Sequence, residues 1–84
     1  MPSLYIQLNL FSDGRALFFR IKRNTQFFKL FTAYCGKCQV DSRSLQFFHL
    51  GQRILGRDTP DKLNLEEGDE IEVMTHVYGG AYKG

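Results

Sequence analysis

The chain has 84 residues, of which 43% are hydrophobic and 24% charged, with a net charge of +2. That range fits one globular domain and stops short of two. A domain this small buries only about 60% of its unfolded surface, so a working surface is expected rather than an internal catalytic cleft. No apolar run approaches the roughly 20 residues of a membrane span, and Met1-Pro2-Ser3 does not read as a secretory signal.

The elements follow in chain order. Leu4, Ile6, Leu8 and Leu10 alternate with Tyr5, Gln7, Asn9 and Phe11, which predicts a strand with one buried face, and Ser12-Asp13-Gly14 supplies a turn. The next strand puts Leu17, Phe19 and Ile21 on one face and Ala16, Phe18, Arg20 and Lys22 on the other. Thr25 is the expected N-cap of a helix whose apolar stripe is Phe27, Leu30, Phe31, Tyr34 and Cys38, and Gly36 weakens its last turn. A third strand is read in SLQFFHL and a short fourth at Arg53-Ile54-Leu55. A single helical turn is expected at Thr59-Pro60, then a loop over Glu66–Asp69, and a last strand from Glu70 to Thr75. The class is α+β: one helix covering one face of a mixed sheet of four to five strands. Residues 1–75 read as the domain and 76–84 as a flexible tail.

Charge is unevenly spread. No acid occurs between Asp13 and Asp41, whereas Arg15, Arg20, Lys22, Arg23, Lys29 and Lys37 lie there. The stretch from Asp58 to Glu72 holds seven acids against Lys62 alone. A compact fold would then be two-faced, able to meet one acidic and one basic partner.

Read together, YIQLNL, SDG, FFRIKRNT, KLFTAYC, SLQFFHLGQRI, DTPDKLNLEEGDEIEV and the closing GG resemble the SUMO branch of the ubiquitin-like modifiers over nearly the whole chain. The resemblance implies the β-grasp fold and a protein tag, not an enzyme. It implies that Gly79 and Gly80 are the conjugation and protease-cleavage site, with Ala81–Gly84 removed so that Gly80 carries the reacting carboxylate. Glycine suits that place because it lets several active sites approach its carbonyl. The implied partners are a SUMO-activating enzyme, a SUMO-conjugating enzyme, ligases, SUMO-specific proteases, target-protein lysines and proteins with SUMO-interacting motifs. The implied location is the nucleus and cytoplasm; the expected state is a monomer with no cofactor of its own and no membrane, and although aromatics interleave with Arg20, Lys22 and Arg23, the modest net charge argues against nucleic-acid binding.

Two surfaces come with it. Phe19, Ile21, Leu30 and Tyr34, half buried, would line a trough between the second strand and the helix, rimmed by Arg20, Lys22, Lys29 and Lys37, where an apolar peptide flanked by acids adds as a strand. Glu66, Glu67 and Asp69 would face the conjugating enzyme, their charge mainly speeding encounter.

The chain also departs from the family. Tyr78 stands where threonine is usual, Gln46 where arginine is, and the N-terminal arm is reduced to about three residues. Phe28, Phe31 and Leu50 are apolar where the family is polar, and no lysine sits in the apolar-Lys-x-acid pattern that would predict chain building. A module that binds peptides without ever being conjugated therefore stays open as a second reading.

Cys35-Gly36-Lys37-Cys38 does not read as a redox motif, because it falls at the end of the helix that disfavours a thiolate. His49 and His76 lack zinc-finger spacing to it, so no metal is expected. Two free thiols in a reducing, soluble compartment are the expectation.

Overall fold

The structure, a computed structural model, describes residues 4–75. Its elements are β1 (Tyr5–Ser12), β2 (Arg15–Lys22), α1 (Phe27–Cys38), a 3-10 turn (Ser42–Ser44), β3 (Leu45–His49), β4 (Gln52–Ile54) and β5 (Glu70–Thr75). They form one five-stranded sheet in the order β2-β1-β5-β3-β4. β1 runs antiparallel to β2 and parallel to β5, and β3 runs antiparallel to both β4 and β5, which makes the mixed sheet of a β-grasp.

The period-two pattern explains which face is covered. Ile6, Leu8 and Leu10 of β1, with Ile71 and Val73 of β5, lie beneath Phe27, Leu30, Tyr34 and Cys35 of α1; Phe47, Ile54 and Leu65 close the far side. Phe31 stacks on Phe47 with ring centroids 3.9 Å apart, so this residue, unusual for the resemblance, belongs to the packing between helix and sheet. Cys35 is buried as well, a core position outside the stripe read from the sequence.

Three local expectations need correction. Leu4 does not share the buried face: it stands opposite Arg23, past the end of β2, and is 76% exposed. The N-cap is Gln26 rather than Thr25, and it makes no side-chain capping bond. Partners distant in sequence take over that task, because Phe27 N–H donates to the Asp58 carbonyl (2.8 Å) and Phe28 N–H to the Gly56 carbonyl (2.9 Å). The third strand also ends one residue early, since Leu50 has entered the turn to β4.

That turn is Leu50-Gly51, with φ of 52° and 81°. Two successive positive φ angles suit the twist of a two-residue hairpin, but leucine tolerates them poorly and its side chain here is 89% exposed. Leu50→Asn is expected to stabilise the fold by about 1 kcal/mol. In a domain of this size that is a rise of roughly 4–8 °C in a thermal melt.

The Thr59-Pro60 segment makes one helical turn's worth of bonds: Leu63 N–H reaches the Thr59 carbonyl at 3.1 Å, and Lys62 N–H reaches Thr59 Oγ1 at 3.1 Å. α1 runs through Gly36 and closes at Gln39, whose φ of 57° lets its N–H return to Cys35.

Candidate functional site

β2 is an edge strand of the sheet. Arg23 N–H donates to the Leu4 carbonyl at 2.9 Å, so in the antiparallel register the bonded pairs continue as Ile6 with Ile21, Leu8 with Phe19 and Leu10 with Leu17. The alternate residues Ala16, Phe18 and Arg20 therefore aim their backbone N–H and C=O groups away from β1, toward the open edge. An extended peptide can use those groups as a template.

Side chains divide by the same period. Leu17, Phe19 and Ile21 point toward the helix and are half buried, while Phe18, Arg20 and Lys22 are exposed on the other face. Arg20 lies over the Tyr5 ring, 5.9 Å from its centroid. Lys29 and Lys37 are exposed on α1. Leu30 and Tyr34 were expected to be half buried and are not: at 1% and 6% exposure they sit at the centre of the helical stripe and belong to the core. The open apolar wall is thus Phe19 and Ile21, with the Phe19 ring 6.1 Å from that of Tyr34.

Toward the C-terminal end of α1 this wall continues into a hollow of about 200 Å³ lined by Arg15, Leu17, Tyr34, Cys38, Val40 and Thr75, among others. Leu17 and Cys38 were legible as a strand and a helix position respectively, but only the pairing of β1 with β2 and the reach of α1 bring them together.

Burial first, then a hydrogen bond and charge from the Cys38 thiol, push the Tyr34 phenol up to about 12. The folded state therefore holds the proton more tightly than an unfolded chain with a phenol near 10. The stability from this group is fully present below pH 10 and falls as the pH rises from about 10 to 12. Tyr34→Phe should flatten that loss in alkaline unfolding followed by circular dichroism. Burial likewise raises the Cys35 thiol, with Cys38 and Asp41 adding to it. Among the described residues no group of three or more His, Cys, Asp or Glu side chains is placed to hold a metal.

The acidic loop is fastened to β1. Gly68 N–H donates to the Gln7 carbonyl (2.8 Å) and Asn9 N–H to that of Asp69 (3.0 Å). Gln7 N–H donates to Glu67 Oε1 at 3.1 Å and Glu66 N–H to Asp69 Oδ2 at 2.8 Å, while His49 Nε2 stands 3.4 Å from Asp69 Oδ2. Two of the three carboxylates singled out from the sequence thus hold the loop together. Glu66, Glu67 and the neighbouring Glu70 and Glu72 are exposed, so the negative surface extends from the loop onto the outer face of β5. Gly79 and Gly80 lie outside the described residues.

The helix-on-sheet topology and the open β2 edge define a ubiquitin-like domain. Two solved structures share it: Caldiarchaeum subterraneum ubiquitin has a TM-score of 0.79 at 16% identity, covering 90% of this chain and 99% of that one. A designed protein based on ubiquitin has a TM-score of 0.80 at 19% identity, covering 93% and 96%. At such identities the likeness is one of fold.

Sequence comparison goes further. Residues 8–75 match the family described as "Ubiquitin-2 like Rad60 SUMO-like". "Small ubiquitin-related modifier 2" of Arabidopsis thaliana is 49% identical over 71 residues, which are 84% of this chain and 69% of that protein. "Ubiquitin-like protein pmt3/smt3" of Schizosaccharomyces pombe is 40% identical over 68 residues, 81% of this chain and 58% of that protein. "Small ubiquitin-related modifier 2" of Homo sapiens is 40% identical over 70 residues, covering 83% and 74%. The chain belongs to the SUMO-like family of ubiquitin-like proteins, whose members are protein modifiers rather than enzymes.

Proposed function

We propose that this chain is the precursor of a SUMO-like modifier that is joined to target lysines through Gly80. A SUMO-specific protease hydrolyses the bond after Gly80 and releases Ala81–Gly84. The activating enzyme then adenylates the new carboxylate with ATP, releasing pyrophosphate; an enzyme cysteine displaces AMP to form a thioester, and a lysine amine displaces the enzyme's cysteine thiol to leave an isopeptide. The domain takes no part in the bond changes and needs no cofactor of its own; it is the handle by which activating enzyme, conjugating enzyme, ligases and proteases hold the tail.

The observation that carries this reading is the family match reaching Thr75, where β5 ends, followed five residues later by the second glycine. Five residues span at most about 18 Å. That is enough to carry a carbonyl into an enzyme's channel while the folded domain stays outside it. Nucleus and cytoplasm are the proposed location, on the strength of the family alone.

Incubation with a SUMO-specific protease should remove the mass of Ala81–Gly84. With ATP and the SUMO-activating enzyme, the trimmed chain should then form an adduct that is lost on reduction and absent in Gly80→Ala. If a folded chain fails both steps, the modifier reading is wrong.

The second reading is non-covalent: an apolar peptide flanked by acids lies along β2, its side chains on Phe19 and Ile21 and its acids near Arg20, Lys22, Lys29 and Lys37. The free backbone groups of Ala16, Phe18 and Arg20 favour it, whether or not the tail is processed. Phe19→Ala should abolish binding in a calorimetric titration. Phe18→Pro should do so as well, because it removes an outward-facing N–H without touching the bonds to β1.

A further inference from the structure

The sheet's other edge, β4, meets the opposite flank of α1 in a second cleft of about 230 Å³. Its lining includes Phe28, Phe31 and Thr32 from the helix and Arg53, Ile54 and Leu55 from β4 and the residue after it. The volume falls below the roughly 300–1,000 Å³ of a small-molecule site and suits one large side chain. Phe31, held against Phe47, and the buried Ile54 form its floor. Phe28 at 49% exposure and Leu55 at 37% leave much of their apolar surface to solvent there.

The helix wall is held in place. Phe28 N–H bonds the Gly56 carbonyl at 2.9 Å, and the two backbones approach so closely that a Cβ on Gly56 would lie 3.1 Å from Phe28 Cβ. Phe28 thus stands at a fixed place beside the open strand while doing little of the core's packing.

The strand wall offers directional bonds. In the two-residue hairpin the flanking residues His49 and Gln52 form the hydrogen-bonded pair, which makes Phe48 and Arg53 the next, non-bonded pair. Arg53 therefore aims its N–H and C=O at the open edge. Ile54 faces the core, so alternation sends the Arg53 side chain to the other face of the same edge. Among the described residues that line the cleft Arg53 alone is ionisable, and its guanidinium stands on the other face, so the complementary occupant carries a carboxylate on the residue next to the seated apolar side chain, which alternation turns to that face.

We propose that the α1–β4 cleft is a second peptide-docking site, taking an extended segment of a partner protein with one large apolar side chain next to an acidic residue. The segment bridges to Arg53 through two backbone bonds, seats its apolar side chain between Phe28 and Leu55, and brings its acid to the Arg53 guanidinium. Because β2 and β4 are opposite edges of the sheet, this site and the β2 groove can be filled at once.

The test is an amide NMR titration of the full chain with acetyl-Asp-Phe-Val-Asp-amide, and with versions carrying Leu or Ala for Phe, or Lys for both Asp. Saturable shifts are expected at Phe28, Thr32 and residues 53–56. Ala in the peptide, or Phe28→Ser in the protein, should weaken them about tenfold, as loss of one buried apolar side chain requires. Arg53→Glu should weaken the acidic peptide and favour the lysine version, with the β2 amides unaffected by either protein change. Shifts confined to β2 would overturn the proposal, as would no saturable shift at the cleft with any peptide. Movement of the cleft amides on simple dilution, marking a contact between copies of the chain, would overturn it too.

Discussion

Phe27→Ala is expected to destabilise the domain by about 3–5 kcal/mol. The side chain is fully buried, the largest of those that are, and lies at the first turn of α1 with its ring 5.8 Å from Phe31, which in turn stacks on Phe47. Alanine would leave a cavity beneath the start of the helix and unseat the first member of that aromatic row. A domain of this length has a total stability of about 4–13 kcal/mol. The variant should therefore sit near its unfolding midpoint without denaturant, or lose most of its urea midpoint with an unchanged slope. A midpoint within a few tenths molar of the parent would mean that the row is not what seats the helix.

The second large effect is expected at Asp58, the one buried charged residue among those described. Its Oδ2 accepts Leu55 N–H at 2.9 Å, its Oδ1 is 3.5 Å from Lys62 Nζ, and its carbonyl accepts Phe27 N–H at 2.8 Å. One residue thus shapes the loop after β4 and presents a carbonyl to the start of α1. Asp58→Ala leaves the Leu55 amide without its partner, at a cost of about 1–3 kcal/mol. Asp58→Asn keeps an acceptor and should recover most of it. Lys62→Ala removes only the half-exposed ion pair and should change the midpoint little. If Asp58→Asn proved as damaging as Asp58→Ala, the charge rather than the hydrogen bond would be holding the loop.

These two residues show where sequence reading succeeds and where it stops. Phe27 was legible because helical periodicity is local: its partners at three- and four-residue steps stand in the same stretch of chain. The alternation of β1, β2 and β5, and the bounds of β5, were legible for the same reason. Thr25 was the wrong cap because the helix's first amides find carbonyls some thirty residues away in sequence, at Gly56 and Asp58, which no local pattern encodes. Leu30 and Tyr34 could be assigned to the helix's apolar stripe, but their exposure depends on how squarely that stripe sits on the sheet, and it sits on them. Glu67 and Asp69 looked like free surface charge; the approach of the loop to Gln7 turns the Glu67 carboxylate into an acceptor for β1, while the Asp69 carboxylate accepts Glu66 N–H within the loop itself.

The acidic loop bears on how charge changes there are read. Lysine at Glu67 would remove a side-chain attachment to β1, and lysine at Asp69 would remove the acceptor of Glu66 N–H within the loop, each as well as reversing a charge, whereas lysine at Glu66 reverses a charge whose carboxylate makes no such bond among the described residues. Glu66 is the clean probe of electrostatic encounter.

The parallel pairing of β1 with β5 has a mechanical consequence. A pull that drew the start of β1 and the end of β5 apart would run along both strands, and would load the contacts of Asn9, Leu10 and Phe11 with Glu70, Ile71 and Glu72 together. Shear of that kind shares the force among the bonds at once, whereas a hairpin such as β3–β4 opens one bond at a time from its end. The start of β1 and the end of β5 are thereby joined through the middle of the sheet, and a machine drawing on either would have to break that middle before the edges.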